Sequence, residues 1–140
     1  MSLTSLEKEL TQLILKKNEL AKLSYSDKKY DELEDEIHDM EDDFLEKHGE
    51  ELDGILESVH DEVCPESDLL LPTAYLANKY VIKGKKSDGS PEFDVEGDEG
   101  VFVETEEHPG RDTRLVLIPN PLRVILTIDE KEKHIVWEAK

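Results

Sequence analysis

The sequence predicts an α+β protein in which an N-terminal antiparallel helical hairpin precedes an antiparallel β-meander of about five strands. Leucines spaced three and four apart mark a first helix, and a similar apolar seam in an acidic stretch marks a second. From residue 69 onward, short alternating runs separated by Gly and Pro turns indicate strands. At 140 residues, we expect a hairpin over 1–64 and a β domain over 65–140 that form one structural unit.

The first helix is expected to begin at Thr4, because Thr4 with Glu7 three residues later has the form of a capping box. Lys17 takes a polar position on its otherwise leucine-rich seam, where such residues tend to fix register. The seam residues around it are Leu3, Leu6, Leu10, Leu13 and Leu20.

The second helix is expected to follow a short linker over residues 23–27. A short connection between two long helices predicts antiparallel neighbours. Folding the chain about residue 25 would pair Leu10 with Met40 and Leu6 with Phe44, and would bring Lys17 within reach of acidic side chains. The seam residues of this helix are Tyr30, Leu33, Ile37, Met40 and Phe44.

Apolar periodicity continues beyond Gly49, where the first helix has no residues left to pair. We therefore expect a third or kinked helical segment over about 50–63 that packs against the sheet. Cys64 and Pro65 should end it, because proline cannot continue a helix and disfavours helical geometry in the preceding residue.

The β half begins with an expected strand over 75–83, which includes Asn78. Phe93 and Val95 suggest a short strand, and clearer ones are expected over 101–105, 113–118, 122–128 and 134–139. Pro119 and Asn120 suit the centre of a tight turn between two of these strands. The resulting hairpin should bury one face, which consists of Leu115, Leu117, Leu122, Val124, Leu126 and Ile128.

The formal net charge is −19, which argues against a nucleic-acid partner because phosphate binding requires clustered Lys and Arg. Residues 25–64 hold seventeen acids against three lysines. Acids four apart on a helix repel by ~0.2 to 0.5 kcal/mol per pair. Eight of them form the predicted partner-binding surface, here called the acidic stripe: Asp31, Glu32, Asp35, Glu36, Asp39, Asp42, Asp43 and Glu46.

The sequence allows two interpretations of the acidic stripe. It is either a solvated helix surface or a surface that docks a basic protein. Solubility alone would mix charges of both signs, which favours a docking role.

The three arginines of the chain lie on or beside the Pro119–Asn120 hairpin. In the expected register Arg114 and Arg123 share a face, two residues from being directly opposite, which suggests a possible anion or carboxylate site. The alternative is that Arg111, Arg114 and Arg123 pair with Glu104, Glu106 or the acidic helix.

Catalytic and metal signatures are weak in this sequence. Asp35 with His38 and Glu57 with His60 have the spacing of di-iron helices, but the first helix has no carboxylate on its seam to complete such a site. We therefore expect no metal, no cofactor and no catalytic residues, although an enzyme stays possible. The single cysteine, Cys64, excludes an intrachain disulfide, and the N-terminus lacks an apolar signal region.

These expectations combine into a cytoplasmic interaction or adaptor module that binds a basic protein partner, with no nucleic acid and no membrane. A homodimer is expected, formed through the hairpin or through the half-apolar sheet face of Arg114, Val116, Arg123, Ile125 and Thr127. The alternative is a small-molecule-binding protein or enzyme. Its pocket would lie between residues 50–63 and the sheet and be lined by Tyr75, Tyr80, Trp137 and Arg123.

Overall fold

The computed structural model describes residues 3–77, 79–87, 89–96, 99–120, 122–129 and 131–139. Two helices, α1 (Leu3–Ala21) and α2 (Lys28–Val63), precede a short 3-10 turn (Pro72–Tyr75). The strands are β1 (Val81–Lys85), β2 (Pro91–Asp94), β3 (Val101–Val103), β4 (Thr113–Ile118), β5 (Arg123–Ile128) and β6 (Glu132–Glu138). The predicted α+β class is confirmed. The strands form a two-stranded sheet, β1-β2, and a four-stranded sheet, β3-β4-β5-β6, instead of one five-stranded meander.

The two helices pack against each other as a hairpin, with apolar residues of both seams in the common core. Lys17 Nζ lies 3.9 Å from Glu41 Oε2, so the seam lysine does reach an acid. The register of the two helices differs from the expected pairing, as the contacts of Glu9 with Lys47 and His48 show. The position of α1 also depends on the sheet, since Asn18 Nδ2 donates to the carbonyl of Tyr80. A two-helix seam alone could not predict that contact.

Helix α2 is one continuous helix of 36 residues, so the expectation of a separate helix after Gly49 is wrong. Asp27 caps its start, with its side chain accepting a hydrogen bond from Lys29 N at 2.9 Å. A glycine inside a helix costs about 1 kcal/mol. Beyond it, Leu52, Leu56 and Val59 are buried in the common core, and this burial outweighs the cost of Gly49.

Strands β4 and β5 form the predicted antiparallel hairpin, and the predicted apolar face of this hairpin is buried. Their connection is longer than a two-residue turn, because Ile118 pairs with Arg123. Pro121, the third residue of this connection, lies outside the described residues. Asn120 adopts a φ of 64°, and its Nδ2 donates to Thr11 Oγ1 at 3.0 Å. The turn is therefore shaped by its contact with α1.

The expected strand over 75–83 agrees with the structure only from Val81 onward. Tyr75 belongs to the 3-10 turn, and β1 begins at Val81. Tyr80 is buried, and its hydroxyl donates to the carbonyl of Leu117 at 2.6 Å and accepts from Ala77 N at 3.0 Å. These bonds hold the segment against the larger sheet instead of extending it as a strand. Asn78, which the prediction included, lies outside the described residues.

The second face of the β4-β5 hairpin is partly covered by the chain itself. Val116 and Ile125 are buried. Arg123 Nη2 donates to the carbonyl of Phe93 at 2.7 Å, and Lys133 Nζ donates to the carbonyl of Val95 at 2.7 Å. The segment around β2 is thus fastened over this face.

Candidate functional site

The acidic stripe lies on the exposed side of α2. All eight of its side chains are exposed, while Ile37 and Phe44 on the other side of the helix are buried. At 1.5 Å per residue, residues 31–46 extend over about 22 Å. The same apolar periodicity that predicted the buried seam implies that the stripe lies on the solvent side of α2, where the structure has it.

One carboxylate of the stripe is paired within the chain. Lys16 Nζ lies 3.3 Å from Glu36 Oε1. In the described part of the chain, no other stripe carboxylate has a lysine, arginine or histidine nitrogen within 4.0 Å. Seven of the eight carboxylates therefore face solvent without a basic side chain beside them among the residues that the structure describes.

Two of the nearby lysines are engaged with acids that flank the stripe, whereas Lys22 and Lys29 line the same groove as Glu32 and Glu36 of the stripe. Lys17 contacts Glu41, and Lys47 Nζ lies 3.0 Å from Glu9 Oε1. Hydrogen bonding to Glu9 is the largest effect that raises the pKa of Lys47, and the negative potential of Asp43 and Glu46 adds to it. Lys47 therefore partly offsets the negative charge of the stripe only at its C-terminal end, without contacting those carboxylates.

The structure does not bring Arg114 and Arg123 together. In the observed register Arg114 pairs with Thr127 and Ile118 pairs with Arg123, so the two arginines are four positions apart, about 13 Å. Arg114 Nε donates to Asp112 Oδ1 at 2.9 Å. Arg123 binds main-chain carbonyls, among them that of Phe93 at 2.7 Å. The expected register was wrong because the turn before β5 is longer than two residues.

A cleft of about 520 Å³ lies between the C-terminal end of α2 and the larger sheet. We call it the α2–sheet cleft. The sequence predicted a pocket in this region but not its lining. Carboxylates and two histidines form its rim: Asp61, Glu62, Glu106, Glu107, His108 and His134.

The inner side of the α2–sheet cleft combines apolar side chains with one buried hydroxyl. Val63, Leu126 and Val136 supply the apolar part, and Thr105 lies beside them. Thr105 is only 6% exposed, and its Oγ1 has no hydrogen-bond partner among the described residues. Sequence reasoning missed Thr105, because an unpaired hydroxyl is a property of packing and leaves no sequence pattern.

The aromatic residues expected to line a pocket are instead structural. Tyr75 Oη accepts a hydrogen bond from Leu70 N at 3.0 Å and lies 2.8 Å from His60 Nε2. His60 Nδ1 lies 3.1 Å from the carbonyl of Ser67. Both ring nitrogens of His60 are therefore engaged in fastening residues 67–75 to α2, although its spacing from Glu57 resembles a metal-binding pattern.

Neither a reactive thiol nor a metal cluster is found in the described part of the chain. Burial raises the pKa of the Cys64 thiol, which disfavours the nucleophilic thiolate. Among the described residues, no three His, Cys, Asp or Glu side chains are grouped so that they could hold a metal ion.

Comparison of the chain with protein-family models, curated proteins and solved structures gave no match. Within the described ranges, no helix has both the length and the apolar character needed to cross a bilayer. The features that bear on function are the acidic stripe on α2 and the α2–sheet cleft.

Proposed function

We propose that this protein is a non-catalytic interaction module that docks a basic protein surface along the acidic stripe. The observation that carries the proposal is the unpaired charge of α2. Seven exposed carboxylates have no basic side-chain nitrogen within 4.0 Å in the described part of the chain. A partner with Lys and Arg along about 22 Å of its surface would supply the missing charges.

The repulsion within the stripe supports the same proposal. Asp35, Asp39 and Asp43 lie one turn apart in succession on α2, and each like-charge pair destabilises a helix by ~0.2 to 0.5 kcal/mol. A basic partner would remove this repulsion on binding. The same negative potential would steer the partner toward the helix and make the association sensitive to salt.

The proposed partner is a protein and not a nucleic acid, because the stripe repels phosphates. A cytoplasmic location stays our prediction. It is supported by the use of a single cysteine, Cys64, which is buried and free of any disulfide.

A homodimer also stays our prediction. The half-apolar sheet face is less available than expected, since Val116 and Ile125 are already buried within one chain. Exposed apolar side chains that the described strands still offer to a second copy are Ile82, Phe102 and Ile135. Two acidic stripes would repel, so the dimer should leave them apart. Sedimentation equilibrium should give twice the chain mass, and the mass of one chain at all concentrations would contradict this prediction.

The docking proposal is tested by affinity capture from native lysate with three baits of the full chain. The first is the wild type. The second, the stripe variant, carries Asp35→Asn, Asp39→Asn, Asp42→Asn and Asp43→Asn. The third, the control variant, loses four exposed acids elsewhere and carries Glu66→Gln, Asp68→Asn, Glu96→Gln and Glu138→Gln. Both variants therefore have the same net charge.

We expect the wild type and the control variant to retain the same basic protein, which high salt releases and the stripe variant fails to capture. Purified, that protein should bind the wild type more tightly than the stripe variant. Equal binding to all three baits would contradict docking along the stripe, and so would equal losses in both variants.

A small-molecule-binding function is the second candidate. The observation that favours it is the α2–sheet cleft, which combines an acidic rim, an apolar inner side and the unpaired hydroxyl of Thr105.

A further inference from the structure

We propose that the α2–sheet cleft binds an aliphatic primary ammonium group, carried either by a free amine or by a lysine side chain. This site lies at the C-terminal end of α2 and is independent of the acidic stripe. Four features of the cleft favour an ammonium group: its charge, the helix end that borders it, one buried hydroxyl, and its apolar inner side.

The charge of the cleft selects a cation. Asp61 and Glu62 from α2 and Glu106 and Glu107 from the loop after β3 all line it. The described residues that line the cleft include no lysine or arginine. In the described part of the chain none of these four carboxylates takes part in an ion pair.

The end of α2 adds to this negative potential. A helix C-terminus carries a partial negative charge and normally favours Lys or Arg nearby. Here the last turn contains Asp61 and Glu62, and its basic residue is His60, whose ring nitrogens face Tyr75 and Ser67. A bound cation would stabilise both the helix end and its two carboxylates.

Thr105 lines the cleft, and a rotation of its side chain would turn the hydroxyl toward a bound group. Its Oγ1 is buried without a hydrogen-bond partner among the described residues, whereas the Thr113 hydroxyl on the neighbouring strand donates to the carbonyl of Val103 at 2.5 Å. Buried polar atoms usually have a partner. A threonine hydroxyl can accept a hydrogen bond from an ammonium group, which has three donors to distribute.

The apolar inner side distinguishes an alkylammonium from a metal ion. Val63, Leu126 and Val136 offer an apolar surface for an alkyl chain, and the volume of about 520 Å³ is within the usual range for small-ligand sites. A metal ion would need several ligands converging at short distance, and the described residues show no such group. The carboxylates at the rim suit a charge held at the end of a flexible chain.

The experiment is calorimetric titration of the full chain at low salt with methylamine, propylamine, butylamine, 1,4-diaminobutane and an acetylated, amidated Ala-Lys-Ala peptide. Butyrate serves as the anionic control. Affinity should rise from methylamine to butylamine by up to about fourfold per added methylene, and butyrate should not bind. Tighter binding of the peptide than of the diamine would identify a lysine side chain as the natural ligand, and the reverse order would identify a free amine.

Thr105→Val tests the polar contact. This variant should weaken butylamine binding by about tenfold or more, since a hydrogen bond to a charged group is lost. Thr105→Ser keeps the hydroxyl and should retain most of the binding. Glu106→Gln changes an exposed rim residue and should also weaken it, whereas the matched control Glu46→Gln removes one charge from the acidic stripe and should have no more than a small effect.

Absence of amine binding would overturn the proposal, as would an affinity that does not depend on alkyl chain length. Equal losses in Glu106→Gln and Glu46→Gln would also overturn it, because they would indicate attraction to the net charge alone. The two proposals fail separately: Thr105→Val should leave capture by the acidic stripe unchanged, and the stripe variant should still bind butylamine.

Discussion

Tyr80 shows how single polar contacts connect the helical and β halves. Its main-chain N donates to Asn18 Oδ1 at 2.8 Å, and Asn18 Nδ2 donates back to its carbonyl at 3.0 Å. Its hydroxyl donates to the carbonyl of Leu117 and accepts from Ala77 N. Burial is the main cause of the raised pKa of this hydroxyl, so it stays protonated and able to donate.

Removing that hydroxyl should destabilise the fold. Tyr80→Phe leaves the carbonyl of Leu117 and the N–H of Ala77 without their partner, and each unsatisfied buried group costs about 1–3 kcal/mol. We expect a loss of at least about 1 kcal/mol in the free energy of unfolding, measured by urea denaturation. Tyr25→Phe is the control, because Tyr25 is 87% exposed. A loss no larger than that of the control would contradict the assigned role of Tyr80.

Asp129 gives a pH-dependent prediction. The backbone N–H of Asp112 is the largest cause of its lowered pKa, followed by Arg111, whose Nε lies 2.6 Å from Asp129 Oδ2. Since the folded pKa lies below the ordinary value of 3.8, this carboxylate stabilises the fold above that pH. The contribution is lost as the pH falls through the folded pKa.

Asp129→Asn should therefore be less stable than the wild type near neutral pH, and the difference should shrink as the pH falls below about 3.8. Asparagine tolerates the φ of 53° at this position, so backbone strain should not dominate the result. Urea denaturation of both proteins across this range measures the difference. A deficit that does not change with pH would show that the Asp129 charge is not its source.

At the scale of elements, the continuity of α2 decides where the acidic stripe and the α2–sheet cleft lie. Gly54 is inside the helix, and a Cβ added there would meet no atom within 4 Å. Gly54→Ala should therefore stabilise the protein by about 0.5–1 kcal/mol. Thermal unfolding checks the sign, and a lower melting temperature would contradict a regular helix at this point.

Gly100, which immediately precedes β3, is a contrasting glycine. Its φ is +93°, and an added Cβ would lie 2.3 Å from the carbonyl oxygen of Leu115. Gly100→Ala should consequently lower the melting temperature clearly, since both the backbone conformation and the close approach to β4 require glycine. Unchanged stability would mean that β3 does not approach β4 this closely.

Elements with a regular apolar period could be predicted from the sequence, and contacts between distant segments could not. The seams identified both helices, and β4 has the predicted bounds. The end of α2 at Val63 agrees with the predicted stop at Cys64 and Pro65, but its continuity through Gly49 was misjudged, because burial of Leu52 and Leu56 outweighs the cost of that glycine. The turn at Asn120 was misjudged because it binds Thr11, far away in the sequence. The exposure of the stripe could be predicted from the apolar periodicity. Thr105 could be recognised as a candidate binding residue only from the structure, which shows its buried, unpartnered hydroxyl.

At the scale of the whole molecule, the net charge of −19 is concentrated where the chain provides few compensating cations. The helix retains this arrangement because its other side is packed in the core, which includes Leu6, Leu10 and Phe44. We therefore expect a folded protein whose exposed helix face is under electrostatic repulsion. A basic partner would relieve that repulsion on binding.

The most direct test of this claim is thermal unfolding of the wild type, the stripe variant and the control variant across a range of NaCl concentrations. The wild type should melt at higher temperature as salt screens the repulsion. At low salt the stripe variant should melt a few degrees higher than both the wild type and the control variant, because several pairs worth ~0.2 to 0.5 kcal/mol each are removed, and it should gain less from salt. A wild-type melting temperature that stays constant or falls with salt, or a stripe variant that melts no higher than the control variant, would contradict the claim.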